Sequence, residues 1–210
     1  MSCFGDKSGR FDIFRSGAEI FVNVGQVAAI LGVLPHQVVE LSRSRELARI
    51  QRNGEEYGMA AGDLLEARRR YSDALPRLDP IRVLAADPES DMGIGLRMML
   101  DEGGHFSTAC AESLAEGRNL FKSFAPDVAI VNRRFPDGRG KKLVCWIRTK
   151  STRRTVPVIM MSAVSDFEEE FERELSSVAD ACLSKPFGKE ELIELVSSVL
   201  LKQSLARYTM

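Results

Sequence analysis

Continuous apolar runs alternate with helically spaced apolar positions through the last two thirds of the chain. Runs at 81–86, 106–109, 127–132, 156–161 and 181–184 predict strands. Between them, three- and four-residue apolar spacing predicts helices over 90–102, 111–124, 139–149, 166–177 and 188–203. Strands that are apolar throughout, instead of alternating, fit a parallel sheet covered on both faces. Five such βα units in about 120 residues predict a doubly wound α/β domain of the flavodoxin-like (βα)5 type.

Upstream the period changes. Apolar residues at 24, 27, 28, 30 and 31 predict a helix ended by Gly32, and Pro35 opens a second helix running to about Ser44 as a first-turn proline. Asn53-Gly54, between short polar-apolar runs, predicts a hairpin with a type I′ turn. Asp63 is placed to cap a last helix ending in Arg68-Arg69-Arg70. Helix, turn, helix, hairpin and helix in that order predict a small winged helix-turn-helix domain over 1–71. Two prolines and small polar residues mark a linker over 72–80; the α/β domain then occupies 81–203 and a tail 204–210.

Composition narrows the chemistry. Among 210 residues, 29 Lys/Arg stand against 30 Asp/Glu, a net charge of −1, so no global field draws the chain to polyanions. No apolar run reaches the ~18 residues of a membrane span, and the start of the chain has no apolar signal core. Four cysteines without CxxC spacing and two distant histidines argue against a zinc site, a disulfide scaffold or a histidine triad. The cysteines fit small apolar packing groups in a reducing, cytoplasmic setting. No nucleophile–base pair and no glycine-rich phosphate loop is present, so an enzyme is not expected, nor a cofactor or structural metal.

Residues 21–70 resemble winged helix-turn-helix domains of the excisionase/MerR type, on Val27-Ala-Ala-Ile-Leu-Gly-Val, the helix from Pro35 to Ser44, and Arg45-Glu46-Leu47 leading into the hairpin. The resemblance implies that the Pro35 helix enters the major groove, which nominates His36, Gln37 and Glu40 at base edges, with Gln37 suited to adenine. Arg43, Arg45, Arg49 and Arg52 would meet phosphates at the helix end and on the wing. Against this, 20–71 holds 7 arginines and 6 acids, and Glu46, Glu55 and Glu56 lie on or near the wing. Folds of this type also bind proteins.

Residues 81–203 resemble the receiver domain of two-component response regulators. Ile81-Arg-Val-Leu-Ala-Ala-Asp87 matches the first strand, Pro126-Asp-Val-Ala-Ile-Val-Asn132 with Phe135-Pro136-Asp137-Gly138 the third strand and its loop. Val156-Pro-Val-Ile-Met-Met-Ser162-Ala163 matches the fourth and Ser184-Lys185-Pro186-Phe187 the fifth. Strand ends converge in such a sheet, so Asp87, Asn132, Ser162 and Lys185 should form one crevice, with Lys185 bonded to Asn132 and Asp87. The family binds Mg²⁺ there and phosphorylates the aspartate ending the third strand. Here Asn132 holds that position, and a carboxamide forms no acyl phosphate. The acidic pair is reduced to Asp87 followed by Pro88, with Glu89 a poor substitute, and Cys182 replaces the aromatic switch residue.

The resemblance therefore implies an atypical response regulator from a bacterium. Its order would be inverted, with DNA read by the first domain, and its pseudo-receiver would dimerise or bind a signalling partner. The C-terminal helix, with Leu192, Ile193, Leu195, Val196, Val199 and Leu200, offers a dimer seam, and the acidic 166–174 stretch fits a solvated helix face. The alternative is a signalling adaptor that touches no DNA. A small ligand in the emptied crevice and a redox role for the cysteines are lesser alternatives.

Overall fold

The computed structural model describes residues 14–16, 19–54, 56–70, 79–153, 155–163 and 178–208. The chain divides into two compact units: one runs to Arg77 and includes the last residues from Ser204, the other is Leu78–Gln203.

In the first unit, β1 (Phe14–Ser16), β2 (Glu19–Asn23), β3 (Gln51–Asn53) and β4 (Glu56–Ala60) form an antiparallel sheet in the order β1-β2-β4-β3. Helix α1 (Val24–Leu31) starts on Asn23, whose side chain accepts the Gln26 N–H, while Gln26 returns a bond to the Asn23 N–H. Gly32 ends it at φ 68, a left-handed conformation that favours glycine. The predicted N1 proline is found in α2 (Pro35–Arg43), and the two helices meet at 92°. Val27, Val38, Val39 and Met59 are fully buried at the centre of this unit.

Two local expectations are corrected here. Asn53 pairs with Glu56 as the last residue of β3, so the hairpin turns after it; the left-handed residue is Gly54, at φ 63, and Asn53 is not one. The expected pair of positive-φ residues at 53 and 54 is therefore absent. Helix α3 (Ala61–Arg70) begins two residues before Asp63, which sits within its first turn instead of capping it.

In the second unit β5 (Ile81–Ala86), β6 (Phe106–Ala111), β7 (Val128–Asn132), β10 (Val158–Ala163) and β11 (Ala181–Lys185) form a five-stranded sheet ordered β11-β10-β7-β5-β6, every pairing parallel. Helices α4 (Ser90–Asp101), α5 (Leu114–Ser123), α6 (Lys141–Thr149) and α7 (Lys189–Tyr208) connect or follow these strands. This is the predicted flavodoxin-like architecture. The helix expected over 166–177 lies outside the described residues, as does the linker up to residue 78. A small hairpin, β8 (Arg134–Phe135) with β9 (Gly138–Arg139), stands in the loop after β7, where no structure is predicted.

Burial on both faces explains the unbroken apolar strands. Leu84, Ala129, Val131, Val158 and Met160 pack with Phe121, Leu143, Val144 and Ile147. Helix α7 continues to Tyr208 because no glycine or proline interrupts it after 203, so the expected tail is largely helical. Its apolar residues Leu192, Val196, Val199 and Leu200 are buried in the chain itself, which removes most of the proposed dimer seam. Among the described residues no single helix is long and apolar enough to cross a membrane.

Candidate functional site

Register fixes what shares the C-terminal edge of the parallel sheet. Ala86 pairs with Val131, Met161 with Asn132, and Ala163 with Lys185. Asp87, Asn132, Ser162 and Lys185 therefore stand at the ends of β5, β7, β10 and β11, on one side of the sheet, as the strand pattern predicts.

Asp87 is the buried centre of this crevice, its side chain 0% exposed. One carboxylate oxygen accepts the Lys185 Nζ proton at 2.6 Å and the other the Glu89 N–H at 3.0 Å. Strands β10 and β7 lie between β11 and β5, so the Lys185 side chain crosses both strand ends to reach Asp87. The pair holds one negative and one positive charge, and the Lys185 side chain is itself only 18% exposed.

Asn132 and Ser162 are beside this pair but not bonded to it. The Asn132 amide donates to the Arg134 carbonyl oxygen at 3.2 Å, and the Ser162 hydroxyl to the Ala163 carbonyl oxygen at 3.2 Å. The expected Lys185–Asn132 bond is thus not formed. A half-buried carboxamide finds a nearer acceptor in its own turn, and Lys185 is taken by a full carboxylate, the stronger partner. Pro88 is half-buried and Cys182 is exposed on β11, opposite Met160.

The turn after Asn132 is tightly built. Gly140 donates its N–H to the Arg133 carbonyl at 2.7 Å. A Cβ there would overlap the Asn132 carbonyl oxygen, far inside the 3.0 Å that real Cβ atoms keep. Asp137, on the hairpin, accepts the Leu114 and Ala115 N–H groups at 3.1 and 3.2 Å. These belong to the first turn of α5, where backbone donors are otherwise orphaned and negative charge is favoured. No sequence signal announces this cap, because it acts across more than twenty positions.

The Mg²⁺ ion that a receiver resemblance implies does not fit these residues. A hard cation requires several anionic oxygens. The crevice offers one carboxylate, already neutralised by an ammonium, and the adjacent positions are the proline Pro88 and the carboxamide Asn132. Among the described residues no three His, Cys, Asp or Glu side chains group as a metal site.

On the first unit the nominated residues divide. His36 and Gln37 are buried, at 3% and 4% exposure, because α2 is short and turns most of its surface inward with Val38, Val39 and Leu41. Gln37 Oε1 accepts the Leu34 N–H at 2.9 Å and so works as a helix cap. Neither side chain is presented to a base edge. Glu40, Arg43, Arg45, Arg49 and Arg52 are exposed. Arg52 is braced on the β3–β4 hairpin: its Nε donates to the Gly54 carbonyl at 3.0 Å and its guanidinium lies 6.0 Å from the Tyr57 ring centre.

The family model for the response regulator receiver domain matches residues 83–197. The chain is similar to the transcriptional regulatory protein PhoP of Escherichia coli O157:H7, at 27% identity over 59% of this chain and 54% of that one. It is also similar to the virulence transcriptional regulatory protein PhoP of Salmonella typhimurium, at 30% identity over the same shares. The chain spans about half the length of the curated relatives it matches. Among solved structures, the Francisella response regulator 1452 receiver domain aligns with TM-score 0.51 and 28% identity, over 59% of this chain and 98% of that one. The chemotaxis response regulator CheY4 of Vibrio cholerae, at 24% identity, shares the fold with TM-score 0.52, over 57% of this chain and 98% of that one.

Proposed function

The chain belongs to the response regulator receiver domain family, and from that premise we propose that it is a DNA-binding transcription regulator whose receiver is not phosphorylated. The observation that carries the second half is Asn132. Where the family has its acceptor aspartate this chain has a carboxamide bonded into its own turn, and Lys185 is held on Asp87. An amide nitrogen or oxygen does not accept a phosphoryl group as a carboxylate does. The receiver then works as a scaffold for dimerisation or for a signalling partner.

DNA binding is supported by the helix–turn–helix–hairpin–helix order of the first unit and by its exposed arginines, Arg43, Arg45, Arg49 and Arg52. The matched relatives are named as transcriptional regulatory proteins. With His36 and Gln37 buried, recognition falls to arginines, which bind phosphates and can also read guanine. A homodimer would double the phosphate contacts of a weakly basic reader.

Two experiments test this function. The full chain, treated with acetyl phosphate and Mg²⁺, should show no phosphoryl adduct by intact-mass spectrometry; an adduct on the wild-type protein sinks the unphosphorylated receiver. Fluorescence anisotropy against duplexes from its own promoter region should show one fragment preferred, with the preference lost in R49A/R52A. The burial of His36 and Gln37 and the exposed Glu40, Glu46 and Glu56 favour a second reading, an adaptor that contacts proteins through the same unit. Absence of any duplex preference selects it.

A further inference from the structure

Charge is distributed unevenly in the receiver unit. Residues 133–154 contain six arginines and three lysines against the single acid Asp137, a net +8 in a chain whose total is −1. Those up to 153 lie in and around β8, β9, α6 and the loop after it. Some of these cations are spent on structure: Arg148 is bonded to Asp180 and Arg153 to Asp127. Arg139, Lys142 and Lys150 are exposed, and among the described residues none accepts a hydrogen bond from their side chains. Across the hairpin Arg139 is the direct partner of Arg134, also exposed. Arg133, Arg134 and Lys141 have interactions of their own and are not counted with Arg139, Lys142 and Lys150.

We propose that this face, the β8–β9 hairpin with α6, contacts the phosphate backbone of DNA, giving the receiver unit phosphate contacts of its own. The proposal rests on the DNA-binding reading above and adds to it. Lys142 in the first turn of α6 and Lys150 at its C-cap are eight residues apart, about 12 Å along the helix axis. Cations spread over that length suit a linear polyanion and converge on no single small anion. A protein partner is a poorer match, because interface cores are apolar and depleted in lysine, whereas DNA-facing surfaces are polar and strongly positive. Among the described residues the exposed large apolar side chains, Leu65, Ile94 and Met98, all lie on other helices. The surface also compensates a first unit whose arginines are nearly balanced by acids.

The test is the full chain carrying R139Q/K142Q/K150Q, compared with wild type and R49A/R52A. Each is titrated against the preferred promoter duplex and an unrelated duplex of equal length across a salt series. Trp146 fluorescence melts confirm that the receiver unit is intact. The triple variant should lose affinity for both duplexes by the same factor and keep its preference between them. Its slope of log K against log salt should flatten by about 2 to 3, one contact per cation removed. An unchanged slope, with wild type binding DNA and R49A/R52A losing the preference, overturns this surface and leaves the DNA-reading first unit standing. Loss of duplex preference in the triple variant overturns it too, since phosphate contacts carry no sequence. Failure of wild type to bind either duplex removes both proposals.

Discussion

Replacing Lys185 by methionine tests whether the crevice is held by its single ion pair. The substitution keeps the length of the side chain and deletes the charge 2.6 Å from Asp87 Oδ2. The Asp87 carboxylate stays fully buried and retains only the Glu89 N–H. Removing one partner of a buried pair costs about 3–5 kcal/mol, most of it the unpaired charge left behind. Lys185 is itself slightly exposed, which lets water reach the site, so the lower end, about 3 kcal/mol, is expected. With a urea m-value of about 2 kcal/mol/M, the midpoint falls by about 1.5 M. Trp146 is the chain's only tryptophan and packs edge-on against Phe121, ring centres 5.8 Å apart, so its fluorescence follows the receiver unit. The double variant D87N/K185M removes both charges and should cost at least about 1.5 kcal/mol less than the sum of its single variants. A cost under about 1 kcal/mol for K185M, or simple additivity in the double, refutes the pairing as the element that holds the crevice.

Three further outcomes follow from local geometry. G140A sets a Cβ against the Asn132 carbonyl and should destabilise the receiver by about 3 kcal/mol or more in the same Trp146 assay, whereas a near-neutral effect contradicts the close approach. Q37A loses the cap on Leu34 and a buried side chain, so the far-ultraviolet circular dichroism melt should show a loss of about 1 kcal/mol with duplex preference unchanged. A lost preference at unchanged stability would mean that Gln37 faces DNA. Burial pushes the Cys110 thiol up, so at pH 8 it carries less thiolate than an ordinary cysteine. Iodoacetamide mapped by peptide mass should therefore modify exposed Cys182 before Cys110, and the reverse order contradicts the placement of Cys110 between α4 and β6.

The apolar runs made the receiver architecture legible because parallel strands bury both faces. Ile81–Ala86 is β5 residue for residue. The fourth strand is shifted by two, 158–163 against 156–161, because Pro157 has no N–H to give a ladder while Ser162 and Ala163 pair with Ser184 and Lys185. Strands β1 and β2 are three and five residues long and carry Arg15 and Glu19, too short and too polar for a periodic signal. The crevice residues were legible as positions, since strand ends converge, but their bonds were not. Whether Lys185 chose Asp87 or Asn132 depends on which acceptor is charged and unengaged, a property of the folded neighbourhood. His36 and Gln37 look like a solvated helix start because both are polar. A capping box is recognised by Ser or Thr at its first position, and Leu34 stands there instead.

Reintroducing the missing carboxylate distinguishes a crevice that has lost one residue from one rebuilt throughout. As it stands, one carboxylate and one ammonium cancel, so neither a cation nor a second anion has reason to enter. N132D adds an anionic oxygen donor at the end of β7, in the strand next to β5, and the local charge becomes −1. Mg²⁺ affinity depends on the number of charged ligands, so the variant should bind the ion at least about tenfold more tightly than wild type, read as a Trp146 fluorescence titration. Pro88 still leaves the β5 side one carboxylate short, and Lys185 still competes for Asp87, which limits the gain. Equal titrations for the two proteins would mean that Lys185 and Pro88 alone keep the cation out, and the departure from the family would then lie on the β5 side as much as at Asn132. A gain confined to N132D places the loss of metal chemistry in that single carboxamide.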